Sequence, residues 1–365
     1  MKRINPIGGV FMISQLLEER KLPALQSRVE MLELLQRYEY GYLPTKPASV
    51  EWVVEEHMLP HGWIQHFCAG MADAYKITAN CTVNGKLFSF PFYGAIPTSP
   101  GKHPFFVHIN FRENSPDIGL PTEELIENGF AVFNFGYTKV TADNGDFTDG
   151  LAGVLYEEGK RSPTDAGKIA MWAWAAQRVL DFAYTMGDRL DLSCACVSGH
   201  SRLGKTALFA AATDTRFAFC HSNDSGCSGA AITRGKIGER IEDICRVFPF
   251  WFCENYLQYR ENVYELPLDQ HYLLACIAPR YVSVASAAND SWADPASEFL
   301  ACAAASPAYE AMDLTGFTCE DRLPEQDMVC PDGHIGYQVR PGEHYIGRTD
   351  WKRLIQFIKK HSENI

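Results

Sequence analysis

The hydrophobic rhythm of the chain changes near residue 100. From 50 to 95, β-branched and aromatic residues alternate with polar ones in "VEWVVEEH", "AYKITANCTV" and "KLFSFPFYG", the period of strands covered on one face. Asn84-Gly85, between the last two segments, predicts a two-residue hairpin turn. Antiparallel edge strands are therefore expected there. Beyond them, "HPFFVHINF" (103–111), "AVFNFGY" (131–137), "FAFCHSND" (217–224), "RYVSVASAAND" (280–290) and "IGYQVR" (335–340) read as strands, the first two as continuous apolar runs. Such strands need cover on both faces. Helical stretches fall between them at 122–130 and 166–186 and after the last at 349–361, so a mostly parallel central sheet sandwiched by helices is predicted. An amphipathic helix is expected at 26–40, packed on the outside of the sheet. With no repeat, low-complexity run or Pro/Gly/Ser-rich linker, 1–365 reads as a single domain, with 1–48 as a helical extension lying on it.

The stretch with the most chemistry is "CACVSGHSRLGK" (194–205) followed by "TALFAAA". A short apolar strand runs into Gly199-His200-Ser201, and an Ala-rich helix leaves it. This context makes Ser201 a candidate nucleophile on a sharp strand-to-helix elbow, with backbone N–H groups at the helix start facing a developing oxyanion. The common elbow reads G-x-S-x-G; here Leu203 stands second after the serine and Gly204 third. Arg202 and Lys205 beside the serine suit an oxyanion or an acidic substrate better than a turn serving only for packing. The order of strands and helices around this corner is that of the α/β-hydrolase fold, in which the nucleophile follows the fifth core strand and the turn after "HINF" contributes a second oxyanion donor.

The elbow "GHSRLGK" also resembles that of the glucuronoyl esterases, carbohydrate esterase family 15. The resemblance continues through "SNDSGCSGAA", "GERIEDICRVFPFWFCENY", "LPLDQHYLLACIAPR", "SAANDSWADP" and "GEHYIGRTDW". It covers the second half of the chain closely and the first half loosely. It implies a serine esterase acting on esters of (4-O-methyl-)glucuronic acid on xylan, with lignin alcohols as leaving groups. It further implies that Lys205 and Glu239 contact hydroxyls of the uronic acid ring, that Trp292 lines the same pocket, and that Arg202 reinforces the oxyanion hole.

A serine nucleophile needs a base, and the base needs an acid that fixes its tautomer. His344 lies between the last predicted strand and the last helix, on the loop where this fold places its catalytic histidine. His334 precedes that strand and would emerge at the opposite edge. His271 reads as a helix-start or loop residue. Two acids remain open: Asp224 and Asp290 both end predicted strands at the carboxyl edge of the sheet, where active sites of open α/β folds gather. The family's usual acid is a glutamate at the position of Asp224, whose side chain is one methylene shorter; other members carry it at the position of Asp290, which is the preferred reading. In a purely structural role, Asp224 would cap the turn into Ser225-Gly226, and Glu239 would sit on the surface of a helix that also offers Glu242.

The formal charge of −12 argues against a nucleic-acid partner, and no stretch has the roughly 20 apolar residues that span a bilayer. The run Ile7–Ile13 is too short and too glycine-rich for a signal peptide. Twelve cysteines without a C-x-x-C pair fit a reduced, cytoplasmic chain, although Cys319 and Cys330 could still bridge a loop. No metal or cofactor is implied, and the expected partner is a uronic acid ester or xylan-derived oligosaccharide. An acetylxylan esterase or other carbohydrate deacetylase, and a non-catalytic carbohydrate-binding protein on a hydrolase fold, remain alternatives at this point.

Overall fold

In the computed structural model, residues 13–56, 70–112, 117 and 119–362 are described. The strands are β1 (Ser49–Glu56), β2 (Ala72–Val83), β3 (Lys86–Pro97), β4 (His103–Asn110), β5 (Ala131–Gly136), β6 (Leu190–His200), β7 (Phe219–Asn223), β8 (Tyr281–Ala287), β9 (Val329–Cys330) and β10 (Ile335–Arg340). They form one sheet of order β1-β2-β3-β5-β4-β6-β7-β8-β10-β9. The three N-terminal strands pair antiparallel, joined at β2–β3 by the turn at Asn84-Gly85, where both residues have positive φ (50° and 73°). From β5 to β10 the neighbours are parallel. Counted from β2, the elbow strand β6 is the fifth.

The helices are α1 (Ile13–Arg20), α2 (Arg28–Leu35), α3 (Thr122–Glu127), α4 (Gly150–Leu155), α5 (Lys168–Ala183), α6 (Arg202–Thr213), α7 (Ile241–Val247), α8 (His271–Ala275), α9 (Pro295–Glu310) and α10 (Arg348–Ser362). Along β4 the side chains divide by period two. Phe105, Val107 and Ile109 join the large core with α5, α6 and α9, while Phe106 joins a second core with Phe130, Trp351 and Ile358 of the α3 and α10 side. Cover on both faces is why these strands read as unbroken apolar runs.

The predicted helix at 26–40 is α2 followed by a wider π-helical turn, Gln36–Tyr40, which swings Glu39 and Tyr40 into the core. Ser27 and Glu30 cap the start of α2 reciprocally. The N-terminal segment is bound to the main body: Arg20 donates to Arg234 O (2.7 Å), and Arg28 donates to Ala212 O (2.7 Å) and Cys276 O (2.9 Å). Cys319 and Cys330 are both free thiols. Among the described residues no helix is long and apolar enough to cross a membrane. Residues 7–12 of the apolar N-terminal run, and part of the turn after β4 expected to supply an oxyanion donor, lie outside the described residues.

Candidate active site

Ser201 sits between β6 and α6 with φ 58° and ψ −128°, a backbone conformation that a non-glycine residue adopts only when its surroundings enforce it. Ser201 N–H donates to Asn223 O at 2.8 Å, and Ser201 O accepts from Gly204 N at 2.9 Å. Two glycines make the corner possible. A Cβ on Gly199 would lie 2.1 Å from Leu203 O, and one on Gly204 would lie 3.0 Å from both Ser222 Oγ and Ser225 Cβ. The strand therefore passes against the first helical turn, and the helix against the end of β7. Gly204, third after the serine, faces β7 while Leu203 turns into the core, which accounts for the unusual spacing.

Ser201 and His344 line one cavity of about 180 Å³, together with Arg202, Lys205, Asp224, Ser225, Gly226, Glu239, Phe248, Trp251, Trp292 and Ala293. His344, on the loop after β10, bonds through Nδ1 to Asp290 Oδ2 at 2.6 Å; its side chain is 43% exposed and that of Asp290 only 4%. Burial alone would raise the Asp290 carboxyl, but the bonds from His344 and from Ala293 N–H outweigh it and hold the carboxyl below its ordinary value. His200 packs its ring on His344 with centroids 4.6 Å apart. Its Nδ1 meets Asn223 Oδ1 at 2.7 Å, and burial, with the neighbouring His344 adding to the effect, pushes its pKa down to about 3.

Geometry separates the two acids left open above. Asp290 bonds the imidazole; Asp224, also at the carboxyl edge, is directed elsewhere. Its Oδ1 accepts from Ala287 N–H (2.6 Å) and its Oδ2 from the Arg340 guanidinium (3.0 Å), so it does not serve as the histidine's partner in this arrangement. Burial raises the Asp224 carboxyl, with Glu298 adding to the rise and Arg340 opposing it.

Except for Glu239 beside Lys205, the cations are fixed by partners that the sequence did not single out. The Arg202 guanidinium pairs with Asp143 and lies 4.6 Å from the Trp251 ring centroid and 5.2 Å from that of Phe248. Asp143 also accepts from Trp251 Nε1 (2.6 Å) and the Tyr137 hydroxyl (2.8 Å). Among the described residues, Arg202 Nε is buried without a partner. Lys205 is buried; its ammonium donates to Ser225 O and Cys227 O (2.6 Å) and lies 3.9 Å from Glu239 Oε2. Burial lowers its pKa, and Glu239 opposes that. Glu239 departs from expectation, for it precedes α7 rather than lying within it. Gly238 takes φ +68° and Glu239 N–H bonds Trp292 O at 3.0 Å, which ties the segment to the loop bearing Trp292 and Asp290 and keeps Glu239 outside the helix. His271 opens α8 and bonds Pro23 O through Nε2, away from the cavity.

Strand order, elbow and histidine–carboxylate pair define a hydrolase-type α/β protein with a serine site at the carboxyl edge of its sheet. Residues 79–313 match the family model for fungal glucuronyl esterase. The chain belongs to the glucuronoyl esterase family, carbohydrate esterase family 15. It is 38% identical over 241 residues to carbohydrate esterase MZ0003 of an unknown prokaryotic organism, covering 66% of this chain and 55% of that protein. It is 29% identical to the 4-O-methyl-glucuronoyl methylesterase of Hypocrea jecorina, covering 86% of this chain and 63% of the relative. The alignments thus span between half and two thirds of these relatives' lengths. Among solved structures, the glucuronoyl esterase from Solibacter usitatus superposes with a TM-score of 0.81 at 28% identity, covering 92% of each chain.

Proposed function

We propose that this protein is a serine esterase that hydrolyses esters of 4-O-methyl-glucuronic acid through an acyl-enzyme. The observation that carries the reading is the 2.6 Å bond between Asp290 and Nδ1 of His344, a histidine that lines the cavity holding Ser201 on its elbow. With Nδ1–H committed to the carboxylate, Nε2 is the nitrogen left to accept a proton. Ser201 Oγ attacks the C6 carbonyl of the uronate and gives its proton to His344. The Arg202 guanidinium and backbone N–H groups at the start of α6 hold the oxyanion. His344 then protonates the departing alcohol, and a water molecule, deprotonated by the same imidazole, cleaves the acyl-enzyme to free glucuronate. Lys205 and Glu239 hold ring hydroxyls, and the half-exposed Trp292 covers the C–H face of the sugar. No step calls for a metal or cofactor.

The uronyl specificity is supported by relatives named 4-O-methyl-glucuronoyl methylesterase and by a buried cation and a carboxylate side by side in the cavity wall. A uronyl ester of a xylan-derived oligosaccharide is the substrate this favours. Benzyl and methyl glucuronate are expected to be turned over by the wild type and not by Ser201→Ala, and acetylated xylan to be a poor substrate. Undiminished hydrolysis by Ser201→Ala would end this reading.

A further inference from the structure

Arg340, the last residue of β10, is 1% exposed and takes no part in the chemistry above. One of its terminal nitrogens donates to Glu343 O (2.9 Å) and to Tyr345 O, the two carbonyls that flank His344, and also to Asp224 Oδ2 (3.0 Å). Its Nε donates to Asp350 Oδ2 (2.7 Å), its other terminal nitrogen to Pro341 O (3.0 Å), and the guanidinium lies 3.7 Å from the centroid of the Tyr345 ring. A single buried cation thus fastens the backbone on both sides of the histidine.

Its anions are placed to transmit that hold. Asp224 Oδ1 takes the N–H of Ala287, the last residue of β8, three residues before Asp290. Asp350 Oδ2 takes Gly347 N–H (2.8 Å), where the histidine loop enters α10. The two loops are further tied by Ala288 N–H to Arg340 O (2.8 Å) and Asn289 N–H to Gly342 O (3.0 Å). The His344 loop and the Asp290 loop therefore meet at the guanidinium and its two carboxylates.

We propose that Arg340, held by Asp224 and Asp350, is a positioning residue that sets His344 against Asp290 and Ser201, and that Asp224 serves the reaction through this guanidinium without touching the imidazole. The Asp224 carboxylate ends at Arg340, short of the imidazole bond that Asp290 makes. Planarity matters, because a guanidinium aims donors in fixed directions from three nitrogens, here with three acceptors sharing the two N–H groups of one of them, whereas an ammonium is a point charge with three rotatable donors. The proposal rests on His344 being the base, since the geometry being held is that of its loop.

The test uses the full chain with Asp224→Asn, which keeps the shape and removes the charge, and Arg340→Lys, which keeps the charge and removes the fork. Both should lower kcat on benzyl glucuronate roughly 10- to 100-fold, the scale set by small misplacements of catalytic groups. Fluorophosphonate labelling of Ser201 should slow in the same proportion, while KM and competitive inhibition by free glucuronate stay near wild type and the thermal midpoint, though lowered, stays above the assay temperature. Wild-type kcat in Asp224→Asn overturns the proposal, and this variant decides alone if Arg340→Lys does not fold. Glucuronate affinity falling in step with kcat also overturns it, because that is general loosening. So does an Asp224→Asn enzyme as crippled as Asp290→Asn, which would make Asp224 the acid itself. His344→Ala, run beside them, separates the levels: turnover in that variant defeats the esterase mechanism, whereas its loss with unimpaired Asp224→Asn and Arg340→Lys defeats only the clamp.

Discussion

Replacing Asp143 with asparagine tests how Arg202 is held. The carboxylate receives three donors: the Tyr137 hydroxyl, Trp251 Nε1–H and the Arg202 guanidinium. An amide offers one oxygen, so at least one donor must face an N–H group. The pair is partly buried, with side-chain exposures of 24% for Arg202 and 12% for Asp143, so a value between an exposed and a buried ion pair applies. A hydrogen bond to a charged group contributes about 1.5–3 kcal/mol. At roughly 1.4 kcal/mol per tenfold in rate, a loss felt fully in the transition state lowers kcat by about 10- to 150-fold. Steady-state kinetics on benzyl glucuronate should show the loss mainly in kcat, because the oxyanion exists only after attack. Arg202→Lys should lose a similar factor, and the double variant little more than either single, since both changes remove one interaction. A folded Asp143→Asn enzyme within twofold of wild-type kcat, or fully additive losses, would refute the reasoning.

Two further outcomes follow from packing and burial. Gly199→Ala sets a Cβ 2.1 Å from a backbone carbonyl, whereas Gly204→Ala meets side-chain atoms at 3.0 Å. Urea unfolding should therefore rank Gly199→Ala well below Gly204→Ala, with a loss at or beyond the usual roughly 1–3 kcal/mol of overpacking; the reverse order would contradict the described corner. Glu39 is buried; burial lifts its pKa to about 8, with Gln270 opposing and Asp269 adding to the rise. A carboxyl raised in the folded state binds its proton more tightly there, so its stabilising contribution is present below the unfolded value of 4.5 and is lost as pH climbs through 8. Wild-type unfolding midpoints should accordingly fall more steeply between pH 5 and 8 than those of Glu39→Gln, and parallel profiles would show that Glu39 does not titrate in that window.

What the sequence disclosed and what it hid divide along a physical line. Strands covered on both faces announce themselves as apolar runs, Asn84-Gly85 as a hairpin, and the strand, Gly-x-Ser corner and Ala-rich helix as an elbow, because each signal is local. The position of His344 between a last strand and a last helix was legible for the same reason. Asp143, Tyr137, Trp251 and Arg340 carried no local mark: each acquires its partner from segments up to more than a hundred residues away, as Arg340 does from Asp224. Which of Asp224 and Asp290 bonds the imidazole depends on side-chain direction after the strand ends, which periodicity does not encode. Glu239 was misplaced because "GERIEDICRV" has helical composition throughout, while the left-handed Gly238 and the bond to Trp292 O begin the helix two residues later.

Trp292 is 54% exposed at the cavity rim, and among the described tryptophans it alone is exposed. An indole so placed is open to collisional quenchers such as iodide, while those of Trp172, Trp174, Trp251 and Trp351 are shielded. Occupancy of the cavity can therefore be followed optically from an intrinsic fluorophore, with no label attached and without waiting for turnover.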